Sequence, residues 1–157
     1  MSARWTRKGA SLFETRSSSP EETAAAGARL AALVGPGTVL ALSGPLGAGK
    51  TCLTAGLARA LGVRETVTSP SYALIQEYEA RGKAGALPFY HIDAYRLSGE
   101  DDFYSTGGEE LLYGKGVSVI EWPERIGAAL PAEAIRVTIT IEDDDMRRIQ
   151  AVFPEEA

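Results

Sequence analysis

Thr38-Val39-Leu40-Ala41-Leu42-Ser43-Gly44-Pro45-Leu46-Gly47-Ala48-Gly49-Lys50-Thr51 is the stretch that decides the fold. Its first six residues form an apolar run of strand length. The run is continuous, not alternating, which suits a strand buried on both faces of a parallel sheet. Gly44 to Thr51 then fits the pattern Gly-x-x-x-x-Gly-Lys-Ser/Thr. Glycines let the backbone turn tightly with its N–H groups aimed inward, making a concave anion site at the start of a helix. Lys50 is placed to reach the β- and γ-phosphates of a nucleotide, and the Thr51 hydroxyl to ligate Mg²⁺. The alternative is a plain glycine-rich turn. Context weighs against it, because an apolar strand leads in and an amphipathic helix, Lys50 to Leu61 with Gly62 at its end, leads out.

Working outward, Ser11 to Thr15 reads as a short strand, followed by Ser18-Ser19-Pro20-Glu21-Glu22. Ser19 is a natural N-cap, Pro20 suits the first helical position, and Glu22 completes a capping box. This helix is expected to run to about Val34, with Ala26, Leu30 and Leu33 on one face, and to stop at Gly35-Pro36-Gly37. Tyr72–Tyr78 and Leu87–Asp93 read as strands flanking a loop over Ala80–Ala86. Ser98 can cap a short acidic helix that Gly107-Gly108 breaks, and Val117–Ile120 is a second buried strand. Val137, Ile139 and Ile141 alternate with Arg136, Thr138 and Thr140. With Asp143-Asp144-Asp145 turning into Ile149–Phe153, they predict a terminal hairpin. The expected fold class is α/β, a three-layer P-loop NTPase-like domain with a mixed sheet and a C-terminal antiparallel hairpin.

Composition narrows the function. The 157 residues are 45% hydrophobic and 24% charged, with a formal net charge of −5. That length fits one domain, residues 1–157, which would bury roughly 70% of the surface its unfolded chain exposes. Residues 1–9 are expected to be a flexible arm. No apolar run reaches the roughly 18 residues of a spanning helix, and the basic start lacks the apolar core of a signal peptide. The lone cysteine, Cys52, has no internal disulfide partner, so the expected compartment is the cytoplasm. The single histidine, His91, excludes sites needing two, and the absence of asparagine excludes an Asn-Lys-x-Asp guanine reader. Four lysines and no basic cluster beyond Arg4–Lys8 argue against a dedicated nucleic-acid grip.

A phosphate loop needs an acid at a neighbouring strand end to hold the metal. Two qualify. Phe89-Tyr90-His91-Ile92 leads into Asp93, and Val117-Ser118-Val119-Ile120 leads into Glu121. Either acid could merely end a strand in solvent. Glu121, with the more apolar lead-in, is the better metal-ligand candidate. Asp93, with Arg96 three residues on, could position the attacking water or sense the γ-phosphate. His91 faces away from Ile92 and is open between a structural and a functional role. Trp122 fits either the nucleotide's vicinity or the core. Cys52 reads as a small buried residue more than a nucleophile, and Glu142–Asp145 as a solvated turn.

Four elements in series resemble one family: the phosphate loop, Val67-Thr68-Ser69-Pro70-Ser71-Tyr72, His91-Ile92-Asp93-Ala94-Tyr95-Arg96-Leu97 and Ile120-Glu121-Trp122-Pro123-Glu124. In order and spacing they look like the bacterial TsaE (YjeE) family over about residues 10 to 150. The resemblance implies a small ATPase needed for N6-threonylcarbamoyladenosine (t6A) at position 37 of tRNAs reading ANN codons. It implies partners TsaB and TsaD, with TsaD transferring the group, tRNA met only indirectly, and no membrane. Carried over by motif, Thr51 and Glu121 would ligate Mg²⁺, while Lys50, Asp93 and Glu121 would form the catalytic set. Gly44, Leu46, Gly47, Ala48, Gly49, Lys50, Thr51 and Cys52 would line the ATP or ADP phosphates, with Ser69-Pro70 as a switch-like loop. Thr23, beside Glu22, and Trp122 would lie near the nucleotide. Pro45 stands where the family usually has Asp, Ser71 where Thr is common, and Cys52 where a hydroxyl residue is common. Pro45 has no N–H to donate, and none of the three departures removes a phosphate or metal ligand.

The short chain shows no lid rich in arginines, which predicts slow hydrolysis alone and faster hydrolysis when a partner completes the site. Two rivals remain at the level of sequence. One is a small-molecule kinase, which would need an acceptor pocket. The other is a nucleotide-gated assembly module without significant hydrolysis.

Overall fold

A computed structural model describes residues 4–5, 11–69, 74–82, 85–143 and 145–154. In chain order its elements are β1 (Arg4–Trp5), β2 (Ser11–Ser17), α1 (Pro20–Ala31), β3 (Val39–Ser43), α2 (Lys50–Leu61), β4 (Ile75–Gly82), β5 (Gly85–Asp93), α3 (Glu100–Ser105), α4 (Gly108–Leu112), β6 (Val117–Glu121), β7 (Ile135–Asp143) and β8 (Met146–Val152). Two 3-10 turns, Pro123–Arg125 and Gly127–Ala129, follow β6. The strands form one sheet in the order β1-β2-β8-β7-β3-β6-β5-β4. Its centre is parallel: β3 pairs with β6 and β7, and β6 with β5. Both flanks are antiparallel, β4 on β5 at one side and the β7–β8 hairpin with β2 at the other.

Because side chains alternate across a strand, β3 and β6 feed both faces of the sheet. Leu40, Leu42, Val117 and Val119 join one core cluster with Leu30 of α1 and Leu53 and Leu57 of α2. Val39, Ala41 and Ile120 join the other with Phe103 of α3, Leu112 of α4 and Ile126. Helices therefore cover both faces, as the three-layer expectation required. All five residues of β6 are buried, as are the first four of β3. That explains why neither strand alternates in sequence. Each fully buried Leu or Ile contributes about 1.5–3 kcal/mol, so these strands are held by both layers at once.

Several local expectations are corrected. Helix α1 ends at Ala31, not Val34, and Leu33 is 52% exposed. Its last turn tightens, with Leu33 N–H donating to Leu30 C=O at 2.9 Å, which swings Leu33 off the buried face. At the helix start Ser19 Oγ accepts from Glu22 N–H as predicted, but the Glu22 carboxylate reaches back to Ser18 N–H at 2.7 Å instead of Ser19. The strand expected over Tyr72–Tyr78 begins at Ile75 and runs to Gly82; residues 70–73 lie outside the described residues. Ala80, expected in a loop, is a buried strand residue bridged to Val63, and Arg81 N–H donates to Gly62 C=O. Ser98 does not cap α3, whose N-cap is Gly99; its N–H and Oγ both donate to Asp102 instead. The terminal hairpin forms, although Ile141, beside a bulge, is 39% exposed and off the core.

Candidate nucleotide site

The C-terminal ends of β3, β6 and β5 meet at one edge, because Leu42 is in register with Glu121 and Glu121 with Asp93. Ligands of parallel α/β sheets bind outside these strand ends. Gly44 leaves β3 so close to β7 that a Cβ there would meet the Ile139 carbonyl oxygen at 3.0 Å. Gly47 (φ +78°) and Gly49 (φ +106°) take left-handed conformations that close the loop onto the first turn of α2. Leu46, at the loop tip, is 85% exposed.

Lys50 points back over the loop. Its Nζ donates to Gly44 C=O at 2.8 Å and stands 3.9 Å above the Trp122 ring centroid. The residue is buried, and among the described residues no carboxylate pairs with its ammonium. A buried cation without a counter-ion is costly, so the environment favours an anion at Nζ. Trp122 reaches this position through a left-handed backbone (φ 57°), the one non-glycine positive φ among the described residues. That conformation costs a side-chain-bearing residue about 1–2 kcal/mol. Beyond it Tyr95 packs on the Trp122 ring at 5.0 Å, and Arg125 lies 5.4 Å from the Tyr95 ring.

The two acids expected at strand ends stand side by side. Glu121 is buried, and its Oε2 lies 2.8 Å from Nε2 of the fully buried His91. Asp93 is half-buried, and its Oδ1 accepts from Tyr95 N–H at 3.0 Å. Register puts Leu42, Glu121, Asp93 and His91 on the α2 side of the sheet, facing the loop helix, while Ile92 enters the opposite cluster. Thr51 sits in the first turn of α2, whose Thr54 hydroxyl donates to Lys50 C=O. Ser69 is exposed; Pro70 and Ser71 lie outside the described residues. Arg96 is exposed.

Residue types fit a nucleotide-borne Mg²⁺ and not an all-protein cage. Thr51 and Glu121 offer hard oxygen donors, and no group of three or more metal-binding side chains gathers among the described residues. Mg²⁺ takes one or two protein oxygens and completes its octahedron with phosphate oxygens and water.

Beside the loop lies a recess of about 190 Å³, lined in part by Ser19, Thr23, Gly49, Cys52, Asp145 and Arg147. Thr23 closes it: its hydroxyl is 2.7 Å from Ser17 Oγ, and its methyl would meet a Cβ at Gly49 at 3.4 Å. The structure thus brings Thr23, Gly49 and Cys52 together around one recess. The sequence reading missed Ser17, Asp145 and Arg147. Arg147 contacts Gly47 C=O at 3.5 Å from the hairpin, a proximity set by the β2–β8 and β7–β3 pairings with no local signal. Glu142, expected in a solvated turn, pairs with Arg16 at 3.0 Å.

A family model for the threonylcarbamoyl adenosine biosynthesis protein TsaE matches residues 17–149. The chain is 41% identical over 133 residues to the tRNA threonylcarbamoyladenosine biosynthesis protein TsaE of Treponema pallidum, covering 85% of this chain and 95% of that one. Against the Bacillus subtilis protein of the same name the identity is 42% over 134 residues, covering 85% and 81%. Among solved structures, the crystal structure of Bacillus subtilis YdiB aligns with a TM-score of 0.72 at 36% identity, over 92% of this chain and 86% of that one. No helix among the described residues is long and apolar enough to cross a membrane. The phosphate loop, the paired acids on β5 and β6 and the recess all fall inside the matched span, and the chain belongs to the TsaE family.

Proposed function

We propose that this chain is the Mg²⁺-dependent ATP-hydrolysing subunit of the cytoplasmic machinery that forms t6A at adenosine 37 of tRNAs reading ANN codons, acting with TsaB and TsaD. The observation that carries the ATPase reading is the buried Lys50 at the mouth of a glycine loop, with no carboxylate partner among the described residues, together with the strand ends that set Glu121 beside Asp93. The t6A role rests on family membership.

In this reading the recess at Thr23 takes the nucleoside, the loop N–H groups cradle the phosphates, and Lys50 leaves the Trp122 ring for the β- and γ-phosphates. Thr51 and Glu121 would hold the nucleotide's Mg²⁺, which would supply neutralisation of phosphate charge. Asp93, steadied at Oδ1 by the Tyr95 amide, keeps Oδ2 to accept a hydrogen bond from the attacking water. Attack on the γ-phosphorus breaks its bond to the bridging oxygen and yields ADP and phosphate. Among the described residues Arg147 touches the loop at Gly47 C=O from the hairpin and no lid holds an arginine over it; in this reading TsaB and TsaD complete the site and raise a slow basal rate. The net charge of −5 supports contact with tRNA through those partners.

ATP turnover with and without TsaB and TsaD tests this. Stimulation by the partners is expected, and its loss in Lys50→Ala and Glu121→Ala proteins that still fold. Equal rates alone and in the complex would refute the partner-completed site. Normal, Mg²⁺-dependent turnover by Glu121→Ala would refute the ligand assignment.

A further inference from the structure

We propose that His91 is a positioning residue: it holds the Glu121 carboxylate in the orientation that ligates the divalent cation of the bound nucleotide. The inference rests on the reading of Glu121 as a metal ligand and goes one residue deeper. Parallel pairing sets His91 opposite Val119 and Asp93 opposite Glu121, so the imidazole reaches diagonally from within the sheet to a carboxylate at its edge. The contact is 2.8 Å, with the histidine fully buried and Glu121 5% exposed.

The proton on this contact follows from the inventory of donors. A carboxylate oxygen accepts, so Nε2 carries the N–H. Holding Oε2 from the core side leaves Oε1 for the open edge, where the loop and Thr51 lie. Carboxylates that ligate metals are themselves hydrogen-bonded, and removing such a partner costs about 10- to 100-fold in metal affinity or activity.

A packing role alone explains the residue poorly. On its own strand and on β6 its neighbours on this face are apolar, Phe89, Val117 and Val119, all part of one cluster, while Gln76 stands opposite it on β4 with its Oε1 accepting from the Tyr78 hydroxyl. An apolar side chain would fill this place without leaving a polar atom unmet. His91 does leave one: Nδ1 is buried with no hydrogen-bond partner among the described residues. Such an orphan in a native core calls for an explanation, and the hold on Glu121 provides it.

The test compares wild type, His91→Phe, which fills the space without a donor, and His91→Gln, which restores an N–H. ADP affinity is titrated by calorimetry without Mg²⁺ and across a Mg²⁺ series. Expected for His91→Phe is unchanged Mg²⁺-free ADP affinity, with a Mg²⁺ half-saturation about 10- to 100-fold higher, largely recovered in His91→Gln. A folded His91→Phe protein with the wild-type Mg²⁺ half-saturation overturns the inference and leaves the metal-ligand reading standing. Glu121→Gln with a wild-type Mg²⁺ half-saturation overturns that reading and the inference with it. Should His91→Phe not fold, the untagged wild-type chain still decides, because His91 is its sole histidine. Its imidazole nitrogen resonances are expected to report the Nε2–H tautomer and to shift with Mg²⁺–ADP but not with ADP alone. Identical spectra in the two states overturn the inference.

Discussion

Helices α1 and α2 cross at two glycines, and Gly56→Ala tests whether that crossing holds the nucleotide site in shape. A Cβ at Gly56 would lie 2.0 Å from the Ala24 carbonyl oxygen, and one at Gly27 would lie 2.2 Å from that of Leu53. Both clashes are with helix backbone, which gives less readily than a side-chain end, and both are more than an ångström short of ordinary contact. Helix propensity alone predicts that Gly→Ala inside a helix stabilises by about 1 kcal/mol. Overpacking against a rigid neighbour costs about 1–3 kcal/mol, and a backbone clash belongs at the upper end. The difference is a net loss of about 2 kcal/mol, which for a chain of this size lowers Tm by about 4–8 °C. Because α1 carries Thr23 against Gly49, separating the helices also widens the recess, and ADP affinity should fall with Tm. Thermal unfolding by circular dichroism, with ADP titration of the folded protein, reads both. Gly35→Ala is the control: no atom lies within 4 Å of its Cβ position, and its Tm should stay near that of wild type. A Gly56→Ala protein as stable as wild type, or more so, refutes the close-crossing argument, since even the sign would follow propensity.

Other perturbations follow from single contacts. Lys50→Met removes a buried cation that pairs with no carboxylate among the described residues. The nucleotide-free protein should gain about 1 kcal/mol while ADP binding collapses; a destabilised variant in thermal melts would contradict the unpaired-charge reading. In a Trp5→Phe background Trp122 is the one indole, and its emission should change on ADP binding as Lys50 leaves the ring. An unaltered spectrum at saturating ADP would sink that movement. Arg148, bonded to Glu14 at 2.9 Å, holds the Glu14 carboxyl below its ordinary 4.5. A depressed folded value contributes stability that is present above pH 4.5 and lost as pH falls through the folded value. The Tm gap between wild type and Arg148→Gln should therefore close with acidification below that point, and a gap that widens there would contradict the pairing.

The phosphate loop was legible because its chemistry is local: glycines for positive φ, a lysine and a hydroxyl at fixed offsets, and four buried residues leading in. The hairpin of β7 and β8 was legible for the same reason, since Val137 and Ile139 alternate with polar residues and both reach the core. Of the β4–β5 hairpin the two strands were legible, but not how far they run on toward each other. Ala80 to Ala86 is small and polar, as loops are, yet Ala80 and Arg81 are recruited by the end of α2 through Val63 and Gly62. No local pattern encodes a contact made by another element. The acids at 93 and 121 could be marked as strand ends, but that they are neighbours depends on β5–β6 register. The bond from His91 to Glu121 depends on the same register by a diagonal step. The recess needed still more, because Arg147 meets the loop only after β2, β8, β7 and β3 have paired.

The central claim is that this chain drives repeated t6A formation through ATP hydrolysis at the Gly44–Thr51 loop. It is tested most directly by reconstituting the modification on an ANN-reading tRNA with TsaB, TsaD, ATP and a threonylcarbamoyl donor, and counting t6A formed per complex. With the wild-type chain, t6A should accumulate through many turnovers in step with ATP consumed. With Lys50→Ala, or with the chain left out, it should stop near one per complex. Undiminished t6A formation without the chain, or with the Lys50→Ala protein, would contradict the account.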